Sequence, residues 1–272
     1  MAKKPHCIFT YVHDEPLWWP VWCGYYSRFF KTEDIFVIHF VKPRRTEFDG
    51  WFPGWAAARG ITVFQRDDPV HCDDQYVVDK VMQVQRDLLD EYEMVWFCEL
   101  DEILCSPAGF QSWIDHPTGK PTLRATGYEV VHMHKEYPDF GVANAIEEPI
   151  DWTQPLLAQR EWWYPTLFYS KPVASRVPLI YAWGFHTSRD TEKLACQPGL
   201  ILLHLHRLDY QTAVDRRKKR IRNESKPFKK GDPGMHHRLL GKDLDNWWFS
   251  TVDKPGSPAP FEPMPDWVRS VI

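Results

Sequence analysis

Short apolar runs separated by amphipathic stretches set the rhythm of the first hundred residues. Cys7-Ile8-Phe9-Thr10-Tyr11-Val12 has almost no polar face and predicts a strand buried on both sides. Ile35-Phe36-Val37-Ile38-His39-Phe40-Val41 predicts a second such strand, Ile61-Thr62-Val63-Phe64 a third, and Met94-Val95-Trp96-Phe97-Cys98 a fourth. Between them, Leu17 to Phe30 predicts an aromatic-rich helix opened by Pro16 in the first turn. Trp51 to Arg59 predicts a short helix closed by Gly60, and Asp74 to Tyr92 a long one. Strands alternating with helices predict an α/β fold, a three-layer sandwich with a mostly parallel central sheet.

Beyond Leu104 the pattern changes. Thr122 to His134 predicts a strand or hairpin, followed by an irregular stretch rich in acids and aromatics. Leu200 to His206 predicts an isolated late strand. Asp215 to Lys230 is a basic segment, and the tail from Asp232 is rich in Pro and Trp. The expectation is one domain over residues 1–272, with a nucleotide-type half (1–104) and an irregular half (105–272) that shapes a pocket.

Composition narrows the class. A 43% hydrophobic share beside 26% charged residues, with 15% aromatics, excludes disorder, collagen-like repeats and coiled coil. A net charge of -4 argues against a generic nucleic-acid binder. No apolar run approaches the roughly 20 residues of a membrane span, and the opening Met-Ala-Lys-Lys-Pro-His does not read as a signal peptide, so none is expected. The expectation is a soluble, cytoplasmic protein. Its six scattered cysteines form no Cys-x-x-Cys pair and read as reduced, mostly buried thiols.

The candidate chemistry lies in Phe97-Cys98-Glu99-Leu100-Asp101-Glu102-Ile103-Leu104, where three carboxylates in four positions directly follow an apolar strand. Acids are rarely buried without a partner or a cation. In open α/β sheets ligands bind beyond the carboxyl ends of the strands. Acids there suit a hard divalent cation that shares its coordination with substrate phosphates. The competing reading is a solvated turn before a helix capped at Ser106-Pro107.

On these residues the chain resembles glycosyltransferases of the GT-A fold, especially family-2-like enzymes. The helix, apolar strand and acidic turn from Asp79 to Leu104 are similar to their Asp-x-Asp region. Tyr11-Val12-His13-Asp14-Glu15, followed by a helix with Trp19 and Trp22, resembles their first strand and its turn. Trp183-Gly184-Phe185-His186 and Leu202-Leu203-His204-Leu205-His206 resemble late landmarks of the group. The resemblance runs from residue 7 to residue 210, anchored at these four places. The sequence departs from the pattern twice. Glu99 stands where the first Asp belongs, and Lys42-Pro43-Arg44-Arg45 replaces an acidic, Ser-containing nucleotide loop.

The resemblance implies a metal-dependent, inverting transferase that uses a nucleotide-diphosphate sugar, a UDP-sugar, and a carbohydrate or other hydroxyl acceptor. The implied ion is Mn2+ or Mg2+, held by Asp101 and His204, with Glu99 as a further ligand and His206 as the alternative to His204. Tyr11, His13, Glu15, Lys80 and Glu99 would border the nucleotide. Inversion needs a general base, for which Glu136, Asp139 and His186 are the candidates. A retaining mechanism needs none, so stereochemistry stays open. His204 and His206 share one face of their strand because side chains alternate with period two; a structural role bonded to backbone is the alternative. His132 and His134 read as structural. The run from Arg216 to Lys230 reads either as a solvated helix face or as a lid closing over a diphosphate. Trp18, Trp19 and Trp22 read as core. Trp152, Trp162, Trp163 and Tyr164 read as core or as sugar-stacking platforms. Two further classes compete: a metal-dependent hydrolase or nuclease, and a non-catalytic carbohydrate-binding protein.

Overall fold

A computed structural model describes residues 2–41, 45–67, 74–116, 118–134, 146–189, 194–223, 239–250 and 261–272. The chain divides into two compact units. Met1–Thr126 with Ser170–Leu202 forms the first, and Gly127–Tyr169 with Leu203–Ile272 the second.

In the first unit the elements follow the predicted alternation: β1 (Lys4–Val12), α1 (Trp18–Tyr26), β2 (Ile35–Val41), α2 (Glu47–Ala57), β3 (Thr62–Asp67), α3 (Asp74–Glu91) and β4 (Tyr92–Phe97). After the acidic turn come β5 (Glu102–Cys105), α4 (Gln111–Asp115) and β6 (Thr122–Arg124). The main sheet has the order β3-β2-β1-β4-β9-β6, where β9 (Pro172–Ser175) belongs to the returning segment. The first four strands are parallel, and β9 pairs antiparallel with both β4 and β6. The α/β class and the mostly parallel sheet read from the sequence are therefore present.

Alternation along the strands gives the sheet two apolar faces. Cys7, Phe9, Phe36, Ile38, Val95 and Phe97 meet the α3 side chains Val77, Val81, Val84 and Leu88 on one face. On the other, His39 packs edge-on to Phe52 of α2, which in turn meets Trp19 of α1. Trp18, Trp19 and Trp22 are buried, so their core reading holds.

Two helices differ from the sequence reading at their ends. α2 begins earlier because Thr46 caps it: the Asp49 amide donates to Thr46 Oγ1, and the Thr46 amide donates to Asp49 Oδ2 at 2.7 Å. The same Asp49 lies 2.8 Å from buried His39 Nε2, so the cap also satisfies a polar group under the sheet. α1 stops at Tyr26, and its last two tyrosines turn to β5. Tyr25 Oη donates to Leu104 O at 2.5 Å, Tyr26 Oη donates to Glu102 O at 3.2 Å, and Leu104 N donates to Tyr26 Oη at 3.0 Å. The four thiols Cys7, Cys23, Cys98 and Cys105 are buried and reduced; Cys72 lies outside the described residues.

The second unit contains β7 (Thr126–Val131, from Gly127 onward), β8 (Trp162–Thr166) and β10 (Ile201–Arg207, from Leu203 onward). It also holds α5 (Tyr210–Asn223), α6 (Gly241–Trp248), β11 (Glu262–Pro263) and α7 (Asp266–Arg269). Its strands run in the order β11-β8-β7-β10. The strand or hairpin predicted from Thr122 is two strands in different sheets, parted at Ala125. That residue's amide donates to Lys171 O, and the Thr126 amide donates to Leu200 O. Val131, Met133, Tyr164, Leu244, Trp248 and Phe249 form the core of this unit. Tyr164 is thus a core residue, and Trp163 stacks on Tyr128 at 4.0 Å.

His132 is structural, as read from the sequence. Its Nε2–H donates to Glu147 O at 2.9 Å, and Nδ1 accepts the Tyr210 amide at 3.1 Å. A second ring proton would face that amide hydrogen. Burial, reinforced by the Arg160 guanidinium, pushes His132 down to about 4. The unfolded chain therefore takes up this proton first, and stability present above about pH 6.5 is lost as pH falls toward 4. The expected loss is about 3 kcal/mol, at 1.36 kcal/mol per unit. Urea unfolding of wild type and His132→Gln between these limits checks it. The variant should lose that part of the pH dependence, and an identical slope would contradict the assignment.

Candidate functional site

The strand order places β1 between β2 and β4, so the winding direction reverses between β1 and β4. Ligands of such sheets bind in the crevice beyond the carboxyl ends of the strands at that reversal. β1 and β4 are in register at Phe9 and Phe97, which sets Tyr11 opposite Glu99 on the same face. Tyr11 Oη donates to Glu99 Oε1 at 2.6 Å. Two residues singled out from separate sequence segments are thus directly joined there.

The acidic turn is organised around a cation that the sequence reading missed. Lys171, fully buried immediately before β9, lies 2.9 Å from Glu99 Oε2 and 2.6 Å from Glu102 Oε1. Glu102 Oε2 in turn accepts the Glu99 amide at 2.8 Å and closes the loop on itself. Burial pushes the Lys171 ammonium down, but the Glu102 and Glu99 carboxylates together outweigh it and hold the ammonium well above its ordinary range. Asp101 lies between these two acids in the sequence and is 8% exposed. Glu102 ends the turn and begins the wholly buried β5, whose backbone the α1 tyrosines hold. The solvated-turn reading does not describe these acids, because Asp101 and Glu102 are both buried.

Aromatic rings border the turn. His13 stacks on Phe40 at 5.1 Å, and Tyr11 meets both His13 and Phe40 edge-on. Phe185 reaches Tyr11 at 5.6 Å and Phe97 at 5.0 Å. Phe185 does so from a left-handed backbone (φ 60), a conformation that costs a bulky residue about 1–2 kcal/mol. Gly184 before it has φ 73, and a β-carbon there would come within 2.8 Å of the His186 ring. The Trp183-Gly184-Phe185-His186 segment is therefore a strained turn that fits only with glycine at its second position. Gln85 of α3 supports its approach, accepting the Leu179 amide at 2.8 Å and donating to Tyr181 Oη at 3.1 Å. Lys80 lies on α3 with its ammonium 3.2 Å from Gln83 Oε1 and over the Tyr76 ring. Tyr76 contacts Phe40. Glu15 is partly exposed, and its carbonyl accepts the Trp19 amide.

In the second unit β10 turns both sequence-predicted histidines into one buried row. The His204 and His206 rings stack at 5.7 Å and 11°. His204 Nδ1 is 3.0 Å from each oxygen of Glu129, a fully buried carboxylate on β7. Tyr169 lies flat against the His204 ring at 3.7 Å and 17°. Arg217 of α5 donates to His206 Nε2 at 3.2 Å and is itself buried. The basic run is thus not a uniform solvated face, since Arg217 turns inward while Lys218 pairs weakly with Asp215 at 4.0 Å in solvent. Lys226, Lys229 and Lys230 lie outside the described residues, as do Glu136 and Asp139. Of the three base candidates, His186 is the one that lies among the described residues.

Lys171, Glu129, Tyr169 and Arg217 are the partners that sequence reasoning missed. One signal for Lys171 was available: a single lysine in Tyr169-Ser170-Lys171-Pro172-Val173-Ala174-Ser175, with no second charge to make a solvated face. For Glu129 no local pattern exists.

No protein-family model matches this chain, and no curated protein matches it. Among solved structures it is similar to one described as a glucose-1-phosphate thymidylyltransferase from Bacillus anthracis in complex with sucrose. The two are 11% identical with a TM-score of 0.31, over 47% of this chain and 56% of that one. The match therefore spans little more than half of that chain's length. Among the described residues no helix is long and apolar enough to cross a membrane.

Proposed function

We propose that this protein is a transferase that binds a nucleotide-diphosphate sugar, a UDP-sugar, and moves the sugar to a hydroxyl of a glycan or similar acceptor. One observation carries the reading. The acidic turn Glu99-Leu100-Asp101-Glu102 sits at the carboxyl end of β4, joined to β1 through Tyr11 and Glu99, where an α/β sheet holds a ligand. The stacked His13 and Phe40, with Tyr11 edge-on to both, offer π-faces of the kind a base uses.

A divalent cation, Mn2+ or Mg2+, belongs to this proposal, with Asp101 and His204 as its protein ligands and His206 as the alternative. The donor chemistry fits: a buried carboxylate is a ligand that suits a hard divalent cation, and an imidazole ligand would favour Mn2+. When bound, the ion would act as a Lewis acid that neutralises charge on the departing nucleotide diphosphate. Lys171 takes up the charge of Glu99 and Glu102, and Glu99 orients the Tyr11 hydroxyl at the nucleotide side. Lys80 on α3 is the further donor-side cation. Inversion at the anomeric carbon assigns a general base to His186, Glu136 or Asp139.

Calorimetric titration of UDP with and without Mn2+ tests the reading. UDP binding that requires Mn2+ is expected. Mn2+ binding with no affinity for UDP would instead favour a metal-dependent hydrolase and end the transferase proposal.

A further inference from the structure

We propose that Glu129 is a positioning residue that fixes His204 as its Nδ1–H tautomer, so that Nε2 carries the lone pair offered to the divalent cation. This rests on the metal-dependent reading above. Glu129 is fully buried on β7, and both of its oxygens lie 3.0 Å from His204 Nδ1. A carboxylate only accepts, so the proton of that contact must sit on Nδ1. The other nitrogen of a neutral ring then holds the lone pair that a metal requires. Histidines that bind metals are held in this way, by a carboxylate on the opposite ring nitrogen.

Packing selects the ring plane as well. Tyr169 covers one face of the His204 ring at 3.7 Å and 17°, and the His206 ring lies parallel to it at 5.7 Å. Flipping His204 within that plane would set a carbon against Glu129 and strand a buried carboxylate without its donor. His206 is the contrasting case. Arg217 has no acceptor and can only donate, so His206 Nε2 already spends its lone pair on a guanidinium. Two neighbouring histidines of one strand are therefore assigned different work: His204 is presented to the ion, and His206 is tied to α5.

The first experiment is long-range 1H–15N correlation on histidine-labelled protein without metal at neutral pH, with His204 assigned by its loss in His204→Ala. The expected pattern is a protonated Nδ1 and an unprotonated Nε2. An Nε2–H tautomer, or an imidazolium with both nitrogens protonated, would overturn the proposal, and this measurement needs no variant at Glu129. The second experiment follows free Mn2+ by electron paramagnetic resonance. Glu129→Gln should weaken Mn2+ binding roughly 10–100-fold, and unchanged affinity would refute the positioning role. Failure of the wild-type protein to bind Mn2+ would end both the ligand role and the metal-dependent reading. The tautomer shifts would in that case still report whether Glu129 sets the ring.

Discussion

Asp101→Asn is expected to lower sugar transfer at least about a hundredfold while leaving the protein folded. Asn keeps the volume and one acceptor oxygen but removes the charge that a divalent cation requires. Stabilising the departing diphosphate is worth several kcal/mol, and about 1.36 kcal/mol corresponds to each tenfold in rate. Stability should hold or rise slightly. Asp101 shares its turn with Glu99 and Glu102, the two carboxylates that pair with the Lys171 ammonium. Removing the third negative charge relieves repulsion when no ion is bound. A role in shaping the turn alone predicts the reverse, with a lower melting temperature and intact turnover. Measuring both on one preparation separates the cases, and near wild-type turnover would end the metal proposal.

Lys171→Met should cost about 3–5 kcal/mol of folding stability, the range for breaking a buried ion pair from one side. Met preserves the length of the stem, so the loss reports the charge rather than a cavity. The Glu102 carboxylate, wholly buried and 2.6 Å from the lysine, would be left without its cation. Taking away the other partner as well should recover part of the loss, because burying a neutral pair is far cheaper than burying a lone charge. The double variant Lys171→Met/Glu102→Gln is therefore expected to unfold at higher urea than Lys171→Met alone. A single variant within about 1 kcal/mol of wild type would show that the turn does not depend on this ion pair.

Much of the first unit was legible because its information is local. The second strand was bounded correctly at Ile35–Val41 from apolar continuity alone, and the acids after the fourth strand announced the carboxyl edge. Ends were harder. α2 starts at a cap that a reading centred on Trp51 passed over, and Pro53 interrupts its pattern. α1 ends early because Tyr25 and Tyr26 hydrogen-bond to β5, which periodicity cannot reveal. The site was half legible for a similar reason. Tyr11 and Glu99 were visible as residue types near strand ends, Asp101 in the turn after β4 and His204 within β10, but the partners of Glu99 and His204 come from far along the chain. Lys171 meets Glu99 across 72 positions, and Glu129 meets His204 across 75. Both contacts join single residues from distant segments, where spacing carries no signal.

Synthesis from the N-terminus gives the position of Lys171 a consequence in time. β4 and the acidic turn are made well before β9, which supplies the outer neighbour of β4 and the cation for Glu99 and Glu102. Until that segment emerges, the nascent sheet carries an open edge at β4 and two acids that it cannot withdraw from water without their cation. Docking of β9 closes the edge and neutralises the turn in one event. The acidic turn is thereby among the last parts of the first unit to mature, and a ribosome stalled before Lys171 would hold a sheet whose acidic edge is not yet assembled.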